Sequence, residues 1–148
     1  MKNGFTLLEL VISLAVVSVV MVLAIYGFSS FRESAQIDEA RFTILSVLRD
    51  ARSRTLASEK NTQYGVYFEE NKAILFLGDS YNAGLESNEE YILPNLSRIS
   101  SINLGGSVEV VFSRLSGFAS SFGTITIESV FNPSKTKIIT ILSSGNIE

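Results

Sequence analysis

The chain has 148 residues, 46% of them hydrophobic, and a formal net charge of −3. With no His and no Cys it lacks the commonest general base and all thiolate and disulfide chemistry, and its near-neutral charge carries no polybasic signature for nucleic acid. Its length leaves room for one globular domain beside an apolar anchor.

The first element is an apolar run. From Phe5 to Phe28 the only charged side chain is Glu9; Thr6, Ser13 and Ser18 are small polar interruptions. As a helix these residues span about 36 Å, enough to cross a bilayer core. A carboxylate inside such a segment is costly and marks a functional site by default. Three simpler accounts compete. Thr6-x-x-Glu9 has capping-box spacing, but a cap normally precedes the apolar residues. A secretory signal peptide needs a longer basic n-region than Met1-Lys2-Asn3-Gly4 and a better cleavage site than Val22-Leu23-Ala24. An ordinary membrane anchor leaves Gly4-Phe5 and Glu9 unexplained.

Gly4-Phe5-Thr6-Leu7-Leu8-Glu9, behind a short basic leader and ahead of an apolar helix, resembles the prepilin signature of type IV pilins, type II secretion pseudopilins and competence pseudopilins. The resemblance implies cleavage between Gly4 and Phe5 by a prepilin peptidase and N-methylation of Phe5. It also implies that Glu9 pairs with the amino terminus of a neighbouring subunit during filament assembly. The charge pattern agrees, because a buried carboxylate needs a cationic partner. Lys2 before the run, and Arg32 offset by Glu33 after it, favour a cytoplasmic N-terminus, an inner-membrane span and an exported C-terminal domain. Gly27 is a position where the helix can bend.

From Ser29 to about Ser58 the helical period continues but turns amphipathic. Ile37, Ala40, Ile44, Val47, Leu48 and Ala51 form one apolar face, and Phe42, Leu45 and Leu56 suggest a second. Arg49, Arg52 and Arg54 cluster late, where the helix dipole favours cations; they are also the residues to test for DNA binding.

The period then becomes strand-like. Tyr64–Phe68 and Ala73–Leu77 flank a polar turn and predict a hairpin. Gly78–Glu90 is predicted as a solvated loop; Asp79, Gly84 and Glu90 fall at the first, sixth and twelfth places of a calcium loop, but Tyr81 and Ala83 occupy ligand positions. Further strands are expected at Tyr91–Leu93, Ile99–Leu104, Val108–Phe112, Thr124–Glu128 and Lys137–Leu142, with turns at Gly105-Gly106 and Asn132–Lys135.

The second half, with its strand into Gly145-x-Ile147, is similar to GspH/FimT-type minor pilins and pseudopilins. That likeness implies an α+β fold: a long N-terminal helix, membrane-spanning in its first half, packed on a C-terminal antiparallel β-sheet domain. The expected divisions are 1–4 leader, 5–28 transmembrane half and 29–148 globular domain. The implied role is a minor pilin or pseudopilin of a type IV pilus or type II secretion filament. It needs no cofactor and no metal. Its partners are other pilins, the prepilin peptidase and the inner membrane. Some FimT-side members bind DNA through basic residues near the C-terminus. Ser143–Glu148 carries no Lys or Arg, which speaks against a DNA-receptor role. Without His, Cys, a phosphate loop or a convergent carboxylate motif, an enzyme is not the expectation.

Overall fold

The computed structural model describes residues 6–148. The chain divides into two compact units, Met1–Glu33 and Ser34–Glu148. One helix, α1, runs Leu7–Leu56 and contributes to both, with Gly27 inside it. In the first unit every residue from Thr6 to Arg32 is exposed. The Ser13 and Ser18 hydroxyls donate back to the carbonyls of Glu9 (2.7 Å) and Leu14 (2.8 Å), so they are satisfied within the helix and suit an apolar surrounding.

In the second unit the expected face of α1 is buried: Ile37, Ala40, Ile44, Val47, Leu48 and Ala51, joined by Leu45 and Thr55. Phe42 is 69% exposed and Leu56 43%, so the second face is not a single one. At about 100° per residue Phe42 lies almost opposite Ile44, whereas Leu45 is adjacent to it.

Among the described residues, seven strands form two antiparallel sheets. One has the order β3-β2-β1-β5, built from β1 (Tyr64–Glu69), β2 (Lys72–Leu77), β3 (Glu89–Ile92) and β5 (Glu109–Val111). The other has the order β4-β6-β7, from β4 (Ser97–Asn103), β6 (Gly123–Ser129) and β7 (Thr136–Ile141). The β1–β2 hairpin pairs Tyr64 with Leu77 and Glu69 with Lys72. In the second sheet Ile125 pairs with Ile102 on one side and Ile139 on the other. The main core joins the α1 face to the inner faces of both sheets. Thus the α+β architecture is observed, a long helix packed against antiparallel sheets.

Two features of the strands have clear physical causes. The weak alternation in Ile99–Leu104 reflects a register shift between Ile99 and Ser101, which turns Ile99, Ile102 and Leu104 all toward the core. The unbroken apolar run of β2 reflects burial on both faces. Ala73 and Leu75 face the main core, while Ile74 and Phe76 are buried on the opposite side. Phe76 lies across Gly65: a Cβ there would fall 2.4 Å from the ring and 2.8 Å from the Val110 carbonyl.

Tyr81 covers part of that second face from the segment 78–90, expected as a solvated loop. Tyr81 stacks on Tyr67 with ring centres 4.2 Å apart and tilts against Phe76 at 5.9 Å. Its backbone N–H donates to Glu109 Oε2 at 3.0 Å. Residues 79–80 and 82–87 are exposed, as expected of a solvated loop, while Tyr81 ties the segment to the sheet and its last residues, Glu89 and Glu90, belong to β3.

Candidate functional site

The sequence places the functional site at the start of α1. Gly4 and Phe5, the expected cleavage and methylation residues, lie outside the described residues. Thr6 is the cap: its Oγ1 accepts from the backbone N–H of Glu9 at 3.2 Å, and its carbonyl accepts from Leu10 N–H at 3.2 Å. Glu9 therefore contributes its amide to the cap. Among the described residues its carboxylate has no partner, and it is exposed amid Leu7, Leu8, Leu10 and Val11, all more than half exposed. An anion here is favoured by the first-turn dipole, yet among the described residues its apolar neighbours offer it no counter-charge. The helix is long and apolar enough to cross a membrane by length and composition.

The arginines proposed for DNA contact are not brought together as one free patch. Arg54 is forked between Asp50 (2.8 Å) and Glu89 (2.6 Å) and lies 5.8 Å from the centre of the Tyr64 ring. The hydrogen bond to Glu89, then that to Asp50, raises the guanidinium pKa further, and Arg54 in turn holds the Glu89 carboxyl below its ordinary range. Arg52 is part-buried, with Nε donating to the Gly117 carbonyl (3.2 Å) and Nη2 to the Ser144 carbonyl (3.3 Å). Gly145, at φ +78°, is needed at this junction, because a Cβ would fall 1.9 Å from the Gly117 carbonyl oxygen. Arg49 alone is exposed and without an ion-pair partner among the described residues, at the mouth of a groove of about 520 Å³ shared with Arg52, Leu56 and Gly145.

The calcium-loop positions also separate. Asp79 pairs with the Gln63 side chain, and Glu90 pairs with Lys72 at 2.8 Å from within β3. Among the described residues no three acidic or other metal-ligating groups converge. Sequence reasoning missed two polar anchors. Thr55 is fully buried, donates to the Ala51 carbonyl (2.8 Å) and accepts from Tyr64 N–H (2.9 Å), tying the end of α1 to β1. Ser129, also buried, receives the N–H groups of Phe131 (3.2 Å) and Asn132 (3.1 Å) at the β6–β7 turn. A hydroxyl within an apolar periodicity was the one available signal for Thr55.

Residues 1–25 match the family model of the prokaryotic N-terminal methylation motif. The motif is of the prepilin type, and with the long helix and antiparallel sheets it supports a type IV pilin- or pseudopilin-like protein. The same motif and fold suggest a structural subunit rather than an enzyme. No curated protein and no solved structure matches the chain.

Proposed function

We propose that this chain is a minor pilin or pseudopilin of a type IV pilus or type II secretion filament. It is cut after Gly4 and N-methylated on Phe5. The apolar half of α1 holds it in the inner membrane with the Ser34–Glu148 unit exported, and it then assembles with other pilins. Glu9 meets the Phe5 ammonium of a neighbouring subunit. One observation carries this reading: every residue from Thr6 to Arg32 is exposed, the stretch as far as Phe28 is almost entirely apolar, and its single carboxylate has no partner among the described residues. Such a surface suits lipid first and other helices later, and a charge buried by that packing needs a cation from another chain. Phe42, exposed on the far side of α1 from Ile44, adds an apolar contact for a neighbouring subunit.

Processing tests it. Gly4 lacks a Cβ, so a protease can approach its backbone closely. Gly4→Val is expected to leave an unmethylated precursor in the membrane fraction, read by intact-mass spectrometry. Recovery of the native chain with Met1–Gly4 still attached, from cells with an active prepilin peptidase, would overturn the reading. The DNA-receptor alternative finds less support, since two of its three candidate arginines are held within the fold.

A further inference from the structure

We propose that opposite ends of the Ser34–Glu148 unit dock on one another between copies of this chain. The Ser113–Phe118 turn and Arg49 of one copy meet the β1–β2 turn of a second, with Leu115 as the inserting side chain. The proposal deepens the filament reading and rests on it.

Leu115 is 87% exposed, more than any other large apolar side chain among the described residues, and its φ is +67°. A leucine in the left-handed region is strained, and such strain persists only where the surroundings hold it. Here they do. The Gly117 amide returns to the Ser113 carbonyl and the Ser113 amide to the Phe118 carbonyl, each at 2.8 Å. Arg114 forks onto the Asn61 carbonyl (2.8 Å) and Asn61 Oδ1 (2.7 Å). So exposed a side chain gains little from its own fold, and Gly or Asn would suit that backbone better.

Gly117 sets this turn against Leu56 and Arg52, beside the groove that Arg49 and Arg52 line. Phe118, also exposed, and Leu56 widen the apolar surface. Among the described residues Arg52 bonds to carbonyls and Arg49 has no ion-pair partner, so two guanidiniums share the groove with one carboxylate, Glu148.

The complementary surface lies at the other end of the unit. The Glu70 carbonyl accepts from Ile99 N–H (2.8 Å), and Leu96 N–H donates to Gln36 Oε1 (3.0 Å). These bonds set the β1–β2 turn towards the Gln36 end of α1, about 30 Å along the helix from Leu56. A shallow groove of about 570 Å³ runs there, with Ile92, Pro94 and Val130 along its apolar wall and Glu69 and Glu70 on its rim. Ile92 is 72% exposed. Two cations, Lys72 and Arg98, serve four carboxylates around it: Glu69, Glu90, Glu70 and Glu128. This end is acidic with an open apolar wall, and the opposite end is basic with an apolar side chain to fill it.

That match selects a second copy. Like ends repel, which disfavours a two-fold dimer, whereas unlike ends attract and set a register. A contact between opposite ends does not close on itself and repeats along a line, as a filament requires. Copies held in one membrane need only a modest contact, because their effective concentration is high.

The chain has no Cys, so single cysteines report contacts cleanly. Ser53, exposed, lies one turn after Arg49 in the same groove, and Asn71, exposed, follows Glu70. Full-length Ser53→Cys and Asn71→Cys chains would be mixed in detergent and oxidised, and also co-expressed in cells with an active prepilin peptidase. The mixture is expected to give the mixed disulfide dimer several-fold above the like dimer of either chain alone. Leu115→Asn, which suits the left-handed backbone, should leave melting unchanged and cut the mixed dimer several-fold. Arg49→Glu should cut it too, and adding Glu70→Lys to the same chains should restore it. A mixed dimer no more abundant than the like dimers, or one indifferent to Leu115→Asn and to charge reversal, would overturn the docking. If Ser53→Cys captures a different protein and never the Asn71→Cys chain, another partner covers this end and the proposal falls. In either case, chains recovered from sheared filaments without Met1–Gly4 leave the filament reading standing. An unprocessed precursor absent from filaments would sink the filament reading and this contact's role with it, whatever the dimer yield.

Discussion

The backbone N–H of Glu9 donates to the Thr6 hydroxyl at 3.2 Å, while the Glu9 carboxylate has no partner among the described residues. This division of labour separates capping from assembly. Leu at position 9 retains the amide, so Glu9→Leu keeps the Thr6 bond. Loss of a cap altogether would cost about 1 kcal/mol. Stranding a neighbour's buried ammonium would cost about 3–5 kcal/mol. Glu9→Leu is therefore expected to insert and be processed normally but to be lost from sheared filaments. Thr6→Ala, which removes the cap alone, should still assemble. Native amounts of Glu9→Leu in filaments would return Glu9 to a local role.

The junction of helix and sheet rests on Thr55. Thr55→Val preserves shape but leaves the Tyr64 amide without its acceptor, at a cost of about 1–3 kcal/mol. Thr55→Ser keeps the hydroxyl and loses one methyl, about 0.8 kcal/mol. Denaturant unfolding followed by the tyrosine signal should rank them native, Ser, Val. A Val variant as stable as the native chain would show that the bond contributes nothing net.

These two residues also mark where the sequence could be read and where it could not. Glu9 stood out because a charge in an apolar run has few explanations, and the helix, hairpin and later strands follow from periods of 3.6 and 2. Thr55 was silent because one hydroxyl at a core position reads the same whether it bonds its own helix or a strand. The run Ala73–Leu77 signalled burial on both faces, but nothing local to it named the cover. Tyr81 supplies part of that cover by stacking on Tyr67, and it comes from a segment whose loop composition pointed to solvent. The bulge at Ser100 weakened the signal of the strand expected at Ile99–Leu104, because period 2 fails where one residue is skipped.

The Glu89–Arg54 pair sets an acid limb. Arg54 first, with help from the Tyr91 hydroxyl, holds the Glu89 carboxyl below its ordinary 4.5. The unfolded chain therefore binds a proton that the folded chain does not, and stability rises with pH across that window. The contribution is present above about pH 4.5 and is lost as pH falls through the depressed folded value. Both side chains are partly solvated, so the pair is worth at most about 1 kcal/mol. Glu89→Gln should lower stability by that amount at neutral pH and flatten the decline in acid, measured by melting at a series of pH values. An unchanged acid limb would assign it to other carboxylates.

DNA affinity tests the competing role directly. Arg52 is spent on the carbonyls of Gly117 and Ser144, and Arg54 on Asp50 and Glu89, which leaves Arg49. Lys135 and Lys137, the next candidates, are engaged at Ser34 and Asp38. One phosphate contact gives a salt slope of only about 0.9 and leaves affinity below the non-specific range of about 10⁻⁴–10⁻⁶ M. At about 150 mM salt the detergent-solubilised full chain should show no fluorescence-anisotropy isotherm with duplex DNA up to tens of micromolar protein. Arg49→Ala should change neither stability nor that result. Arg52→Ala should instead loosen the junction of Gly117 with Gly145, seen as a lower melting temperature without any DNA phenotype. A clear isotherm whose slope implies several phosphates, abolished by Arg49→Ala, would place a DNA site on this helix end and reverse the ranking.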